Sequence, residues 1–306
     1  MGTPEFAVPS LAGLLEAGHD VTGVVTQPDR PQGRGQRLQM PAVKRFAVER
    51  GLTVLQPEKI RNAQFLEALR PLAPELIVVA AYGKILPPAV LELPPRGCVN
   101  VHASLLPKYR GAAPIQRCLL EGDPVTGVTI MQMNEGMDTG DILLQREVTV
   151  DPEDTAGSLQ SRLATVGASA LLEALDRLAR GELRAVPQRN EDATLAPMIR
   201  KEEGEIDWSR SAVEIERSVR AFQPWPGAFT RANGALLKVL RAAMAPNGES
   251  KSSPGTVVAA EAGALRVATG KGDLDLLEVQ PEGKRRMTAR DVVSGRLLRA
   301  GDRLGS

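Results

Sequence analysis

An asparagine and a histidine stand two residues apart at the end of an apolar run, in the stretch VNVHASLLPKYRGAAPIQ at residues 99–116. Residues two apart on a β-strand point to the same face of the sheet, so Asn100 and His102 project together. An amide donor can stabilise an oxygen that gains negative charge, and a neutral imidazole can take a proton from a nucleophile. The pair is therefore a candidate catalytic site, and the alternative is a histidine that satisfies its own hydrogen bonds at a strand end.

A carboxylate that could orient the imidazole is supplied by NEGMDTGD at residues 134–141, a glycine-bounded loop after another predicted strand. The loop holds Asp138 and Asp141, and the spacing alone leaves the choice between them open. A thiol–imidazole pair of Cys98 and His102 is set aside, because four residues along a strand separate them by roughly 13 Å.

Short apolar runs alternate with helical patterns along the first 150 residues. The runs lie at 21–27, 75–83 and 97–103, and the helical patterns lie at 8–19, 41–51, 62–72 and 114–122. Continuous apolar strands are typical of a parallel sheet covered on both faces, so the alternation predicts a doubly wound, Rossmann-like α/β domain. His102 then lies at the carboxyl end of a strand, where such sheets bind ligands. A further β pair is predicted at 127–133 and 141–150, and a long helix at 155–181.

The pattern changes after this helix. Residues 186–208 are polar and irregular, and they predict a linker that partly packs. A helix at 211–222 is followed by glycine-punctuated β segments, which favour a small β-barrel, OB-like in type. We therefore expect a catalytic domain at 1–189, a linker at 190–209 and a smaller domain at 210–306.

Composition excludes several classes of protein. The chain has 306 residues and is 42% hydrophobic and 25% charged, which is typical of a globular protein. Two cysteines rule out a disulfide scaffold and a cysteine-rich zinc site. With only two histidines, of which His19 marks a helix end, we expect no metal. The apolar runs are too short to span a membrane and no signal-peptide pattern opens the chain, so we expect a cytoplasmic protein without a membrane partner.

Charge is unevenly distributed along the chain. Residues 1–209 carry 22 basic and 27 acidic residues, a balance of −5, whereas residues 210–306 carry 16 and 10, a balance of +6. A basic final third favours a polyanionic partner, and a solvated surface is the alternative interpretation.

A second basic segment, QPDRPQGRGQRLQMPAVKR, occupies residues 27–45. It sets five basic residues against Asp29 alone, namely Arg30, Arg34, Arg37, Lys44 and Arg45. Its glycines and prolines predict an irregular excursion that is neither helix nor strand. A lid that closes over a phosphate backbone is one interpretation, and a mobile solvated loop is the other.

Two long segments, NVHASLLPKYRGAAPIQ and GVTIMQMNEGMDTGDIL, closely resemble the methionyl-tRNA formyltransferases. The opening GTPEFAVPSL, the loop TQPDRPQGRGQRL and the later KEEGEIDW…RAFQPWPGA look like the same family, so the resemblance covers nearly the whole chain. It implies transfer of a formyl group from 10-formyltetrahydrofolate to the amino group of methionyl-initiator tRNA, in a protein that we expect to be a monomer.

The resemblance also implies roles for particular residues. It places catalysis on Asn100, His102 and Asp138, and it is what selects Asp138 over Asp141. The segment that it implies for folate contact comprises Ser104, Leu105, Leu106 and Pro107. The residues that it implies for tRNA contact are Arg34 first, then Arg30 and Arg37.

Other readings remain. Folate-dependent formyltransferases that act on a sugar-nucleotide or ribonucleotide amine share this kind of site, and only the basic segment and the basic final third favour tRNA. A nucleic-acid-binding protein with an inactive α/β domain is disfavoured by the complete catalytic trio. A nucleotide-dependent dehydrogenase is disfavoured because no G-x-G-x-x-G motif follows the first visible strand.

One departure from the family concerns the start of the chain. Family members carry a β-strand before the GTPEF loop, whereas here Met1 directly precedes Gly2. The strand would be central in the sheet, so its loss would expose apolar surface and unpaired backbone groups. We expect a start that was chosen too late rather than a compromised protein.

Overall fold

A computed structural model describes residues 1–32, 37–246, 250–261 and 264–305, apart from the side chains of Gln32 and Arg37. The chain forms two compact units. The first comprises Met1–Pro114, Pro124–Val150 and Leu159–Pro197, and the second comprises Ile115–Asp123, Asp151–Ser158 and Met198–Ser306. The predicted boundaries at 189 and 210 stay a prediction. Within the described ranges, no helix combines the length and apolarity needed to cross a bilayer.

The first part of the chain, up to residue 197, alternates strands and helices as the pattern predicts. Its strands are β1 (Val24–Val25), β2 (Arg30–Gln32), β3 (Arg37–Gln39), β4 (Val54–Leu55), β5 (Ile77–Val79), β6 (Cys98–His102), β7 (Arg110–Gly111), β8 (Val125–Gln132), β9 (Ile142–Thr149) and β10 (Leu195–Ala196). Its helices are α1 (Val8–Glu16), α2 (Ala42–Val48), α3 (Ala63–Leu69), α4 (Pro88–Leu91), α5 (Pro114–Glu121) and α6 (Ala156–Ala179).

The main sheet is mixed rather than parallel. Strand β5 pairs parallel with β6, and β1 pairs parallel with β4. However, β6 pairs antiparallel with β8, and β8 pairs antiparallel with β9. The parallel pairing predicted from the runs at 21–27, 75–83 and 97–103 is confirmed. The further β pair predicted at 127–133 and 141–150 adds antiparallel strands to this sheet.

Helices cover both faces of the sheet around β6. On one face, Phe65 of α3 and Val90 of α4 share a buried cluster with Cys98 and with Ile77. On the other face, a Cβ atom added at Gly167 of α6 would lie 2.8 Å from Cγ1 of Val101. Glycine therefore lets α6 lie close against the strand that carries Asn100 and His102, and the doubly wound arrangement is confirmed.

The first two residues fill one rung between β1 and β5. The Gly2 N–H donates to the Val25 carbonyl at 3.0 Å, and the Ala80 N–H donates to the Met1 carbonyl at 2.9 Å. Beyond this rung lies a cavity of about 700 Å³, bordered by both strands and by the apolar side of α1. The Ser10 hydroxyl on its border is buried and has no hydrogen-bond partner among the described residues.

The basic segment forms a short antiparallel hairpin of β2 and β3, in which Arg30 pairs with Gln39 and Gln32 pairs with Arg37. The prediction of an irregular excursion was wrong here. Both strands of a two-stranded ribbon are edges, so Pro31 can occupy one of them without removing a bond from a central ladder.

The segment from Val186 to Pro197, which we call the strap, packs within the first unit. Backbone bonds join Val186 to Ile142 of β9, and β10 pairs parallel with β7. The part of the chain that the composition predicts to be a linker thus contributes a strand beside the His102 region.

The later part of the chain is an antiparallel sheet with two helices. Its strands are β11 (Ala228–Ala232), β12 (Ala235–Met244), β13 (Val257–Glu261), β14 (Ala264–Ala268), β15 (Asp273–Pro281) and β16 (Met287–Thr288), and its helices are α7 (Ala212–Ala221) and α8 (Ala289–Ser294). Ile215 and Val219 of α7 and Val292 of α8 are buried with the sheet residues in one core.

The order of these strands is β11, β12, β15, β14, β13, with β16 beside β15. The C-terminal tail approaches both outer strands, since Leu304 forms a bridge to Ala232 and Arg303 forms one to Thr256. In the described parts of the sheet the two outer strands do not pair directly. The OB-like barrel therefore stays a prediction.

Candidate active site

His102 is the last residue of β6, and only 6% of its side chain is exposed. Its Nε2 atom lies 3.0 Å from the carbonyl oxygen of Tyr109. A carbonyl oxygen only accepts hydrogen bonds, so Nε2 carries the hydrogen. Nδ1 is therefore the nitrogen that can take up a proton.

Asp138 faces that nitrogen. Its Oδ1 atom lies 3.7 Å from Nδ1 of His102, and its Oδ2 atom accepts the Gly111 N–H at 2.9 Å. Asp138 has a φ of 54°, in the left-handed region, within the loop that joins β8 to β9. Asparagine and aspartate tolerate this conformation better than most residues, and it turns the carboxylate toward the end of β6.

Asn100 completes the cluster from the same face of β6. Its Nδ2 atom lies 3.5 Å from Oδ1 of Asp138, at the limit of a hydrogen bond. The amide carries two N–H groups, so one of them is available to donate to an oxygen of a bound molecule. The structure thus brings together Asn100, His102 and Asp138 from two separate segments.

The sequence could not identify Tyr109 as the group that orients His102, because the contact uses a backbone carbonyl and any residue type supplies one. Tyr109 has a φ of 63°, and its N–H donates to Oγ1 of Thr194 in the strap at 2.9 Å. The strand-end histidine does satisfy one of its own hydrogen bonds, as the alternative interpretation holds. Its second nitrogen nevertheless faces the Asp138 carboxylate.

Cys98 takes no part in this chemistry. Burial raises the pKa of its thiol to about 12, so the thiol stays protonated at neutral pH. Its Sγ atom lies 3.8 Å from the carbonyl oxygen of Val90, in the buried cluster that includes α3 and α4.

The segment from Ser104 to Pro107 follows His102 directly and is tightly fixed. The Ser104 hydroxyl donates to the Lys108 carbonyl at 2.6 Å, and the Leu106 N–H donates to Oγ1 of Thr129 at 3.0 Å. Ser104 and Leu106 are buried, whereas Leu105 and Pro107 are half-buried. The accessible part of the segment is therefore Leu105 and Pro107.

Two of the basic residues in the 27–45 segment are already paired. Lys44 lies 2.7 Å from Asp29, and this hydrogen bond, together with one from Gln56, lowers the pKa of the Asp29 carboxyl. Arg45 lies 2.8 Å from Glu5 at the surface. Two of the five basic residues are therefore already neutralised by carboxylates of the chain and are less able to bind phosphate.

The structure describes the three arginines that the resemblance implies for tRNA contact to different extents. Arg30 is exposed and donates to Oε1 of Gln27 at 3.1 Å. Arg37 begins β3, and its side chain is not described. Arg34 lies at 33–36, outside the described residues.

Comparison with known proteins agrees with this geometry. The family model described as formyl transferase matches residues 1–175, and the one described as formyl transferase, C-terminal domain, matches residues 198–297. A methionyl-tRNA formyltransferase of Myxococcus xanthus is 52% identical over 301 residues, which cover 98% of this chain and 95% of that protein.

Solved structures show the same fold at low identity. WlaRD, a sugar 3N-formyl transferase crystallised in the presence of dTDP and 5-N-formyl-THF, is similar with a TM-score of 0.66 and 20% identity, over 93% of this chain and 97% of that one. HypX from Aquifex aeolicus in complex with tetrahydrofolic acid is similar with a TM-score of 0.60 and 20% identity, over 90% of this chain and 47% of that one.

Proposed function

The chain belongs to the methionyl-tRNA formyltransferase family, and we propose that it transfers the formyl group of 10-formyltetrahydrofolate to the amino group of methionyl-initiator tRNA. The observation that carries this proposal is the convergence of Asn100, His102 and Asp138 at the end of β6. The cluster offers an amide donor, a proton acceptor and a carboxylate, which are the groups that an acyl transfer to an amine needs.

The amide, imidazole and carboxylate of this cluster suit a folate cosubstrate, which supplies an activated formyl group on N10. We propose that the segment Ser104, Leu105, Leu106 and Pro107 contributes to holding it, with the half-buried Leu105 and Pro107 in contact. This segment is continuous with His102, so a molecule bound against it lies beside the catalytic imidazole.

His102 moves the proton. The methionyl amine forms a bond to the formyl carbon, and Nδ1 of His102 takes the proton that the amine nitrogen loses. The bond between the formyl carbon and N10 then breaks, and the imidazolium returns a proton to N10. The Tyr109 carbonyl holds Nε2–H throughout, so the ring keeps its orientation while Nδ1 exchanges its proton.

Asn100 and Asp138 stabilise the charges that form during this step. Negative charge develops on the formyl oxygen, and the Asn100 amide can donate to it. One such donor typically contributes on the order of 10²–10³ in rate. Asp138 faces Nδ1 and stabilises the imidazolium once the proton has arrived.

We propose that tRNA meets the basic hairpin, through Arg34 and then Arg30 and Arg37, and the domain at 210–306, which carries a balance of +6. Phosphate contacts by arginine are frequently bidentate, which suits the acceptor end of a tRNA. We also propose a monomer in the cytoplasm, a location that agrees with two buried free thiols, Cys98 and Cys118.

The second candidate is formyl transfer to a sugar-nucleotide amine, because the catalytic cluster alone does not select the acceptor. A direct competition tests the choice. The chain is supplied with 10-formyltetrahydrofolate and either charged initiator methionyl-tRNA or a dTDP-linked amino sugar, and formylated product is measured. We expect product on the tRNA alone, and transfer only to the amino sugar would overturn the proposal.

A further inference from the structure

Gln188 in the strap joins the Asp138 loop to a buried arginine. Its Nε2 atom donates to the carbonyl oxygen of Asp138 at 2.9 Å and to that of Gly140 at 2.7 Å. Its Oε1 atom accepts from Nε of Arg110 at 3.0 Å and from Nη2 of Arg110 at 2.8 Å. One amide thus uses both of its donor hydrogens on the loop and its acceptor on the guanidinium.

Arg110 is an unusual partner for a neutral amide. Only 7% of the residue is exposed, and its Nη1 atom donates to Oδ1 of Asn190 at 3.0 Å. Within the described ranges no carboxylate lies within ion-pair distance of it. A buried guanidinium is costly unless its donors find partners, and here amide oxygens of Gln188 and Asn190 accept from each of its three nitrogens. The direction of the Gln188 amide is therefore fixed, with oxygen toward Arg110 and nitrogen toward the loop.

Arg110 and Gln188 are connected to Asp138 at two points, the side-chain carboxylate and the backbone carbonyl. Gly111, which directly follows Arg110 in β7, donates its N–H to Oδ2 of Asp138. Gln188 holds the Asp138 carbonyl, at a residue whose φ of 54° depends on its neighbours. Displacement of Gln188 would release the loop and the strand that together aim the carboxylate at His102.

We propose that Gln188, oriented by Arg110, is a positioning residue for formyl transfer, which holds the Asp138 carboxylate against Nδ1 of His102. The proposal rests on the function proposed above. Nothing in the sequence pattern singles out Gln188, since it lies in a segment that reads as a linker.

The test variant is Gln188→Glu. Its carboxylate keeps an acceptor for Arg110 but has no N–H for the carbonyls of Asp138 and Gly140. We expect kcat to fall about 10- to 100-fold, since misplacement of a reacting group by about 1 Å can cost roughly 10²-fold. KM for both substrates should stay within about twofold, and the thermal midpoint should not fall. Gln188→Met, which has neither donor nor charge, should show the same loss of kcat.

The matched control is Arg189→Ala in the same strap. Arg189 is exposed and pairs with Glu191 at the surface, so its removal should leave kcat unchanged. If Gln188→Glu, which keeps the acceptor for Arg110, loses stability and substrate binding in step with kcat, the role of Gln188 is structural and the proposal is overturned. Unchanged kcat in both variants overturns it as well.

A spectroscopic measurement separates this proposal from the proposed function. The chain has two histidines, so the ring proton resonances of His102 and His19 can be followed by NMR without labelling of other residues. In Gln188→Met we expect the His102 resonance to move and that of the exposed His19 to stay. A wild-type chain without formyl transfer would overturn the function alone, whereas an unmoved His102 resonance would overturn the positioning role alone.

Discussion

His102 and Asp138 come from separate segments of the chain, and the structure places Nδ1 of the histidine 3.7 Å from Oδ1 of the aspartate. This distance is longer than a hydrogen bond and short enough for a strong charge interaction. The carboxylate therefore lies beside the ring nitrogen that carries no hydrogen. Orientation of the ring is provided separately, by the Tyr109 carbonyl.

The first prediction concerns the choice of carboxylate. Asp138→Asn removes the negative charge that faces His102 while it keeps the shape of the side chain, so kcat should fall severely, by about 10²–10⁴. Asp141→Asn in the same loop is the matched control, because the backbone carbonyl of Asp141, which accepts from the Gln132 N–H, is unaffected. The fall in kcat of Asp141→Asn should be much smaller. Steady-state kinetics of both variants measure this, and the reverse order of severity would assign the role to Asp141.

The sequence predicted the parts of this site that depend on residue type and strand spacing. Asn100 and His102 share a face because strands have a period of two, and the structure confirms that placement. The choice of Asp138 came from the family resemblance, since a loop has no period from which to infer direction. The Tyr109 carbonyl and the Gln188 amide could not be predicted, because both act through long-range contacts that no local pattern encodes.

The fold shows the same division. Apolar runs correctly predicted the positions of β1, β5 and β6, because a buried strand has a locally apolar composition. They did not reveal that β6 and β8 run antiparallel, or that β2 and β3 of the basic segment pair with each other. Strand direction and pairing depend on which segments meet in space, and a single sequence does not specify this locally.

The second prediction concerns tRNA binding by the hairpin. Arg34→Ala should weaken use of tRNA by roughly 10- to 150-fold, because loss of a charged hydrogen bond typically costs about 1.5–3 kcal/mol. The defect should appear at limiting tRNA, with folate affinity nearly unchanged. Arg45→Ala is the matched control, since Arg45 pairs with Glu5 and its loss should have little effect. A loss of folate affinity in Arg34→Ala with normal dependence on tRNA would show that the hairpin does not meet tRNA.

The third prediction compares two truncated chains, one ending at Arg189 and one at Pro197. Both lack the basic domain, so both should lose tRNA affinity, which filter binding measures. The shorter chain also loses the Thr194 bond to Tyr109 and the pairing of β10 with β7. We therefore expect it to unfold at a lower temperature than the longer chain. Retained tRNA binding in either chain would remove the proposed role of the final domain, and equal unfolding temperatures would show that the strap does not stabilise the catalytic part.

The fourth prediction concerns the cavity between β1 and β5. An apolar extension of about five residues joined before Met1 should raise the thermal midpoint, because each buried Val or Ile side chain contributes about 1.5–3 kcal/mol. A Gly-Ser extension of the same length is the control and should not stabilise the chain. Calorimetry of the three chains compares them. Equal midpoints for the apolar and the Gly-Ser extensions would show that the cavity does not accept a strand.

We expect the cluster at the end of β6 to perform formyl transfer to methionyl-tRNA. The most direct measurement is single-turnover transfer by wild type, His102→Ala and Asn100→Ala, at saturating 10-formyltetrahydrofolate and with folate binding measured on the same samples. We predict intact folding and folate binding, with rates lower by about 10²–10⁴ for His102→Ala and about 10²–10³ for Asn100→Ala. A folded His102→Ala protein that transfers formyl to methionyl-tRNA at the wild-type rate would contradict the account.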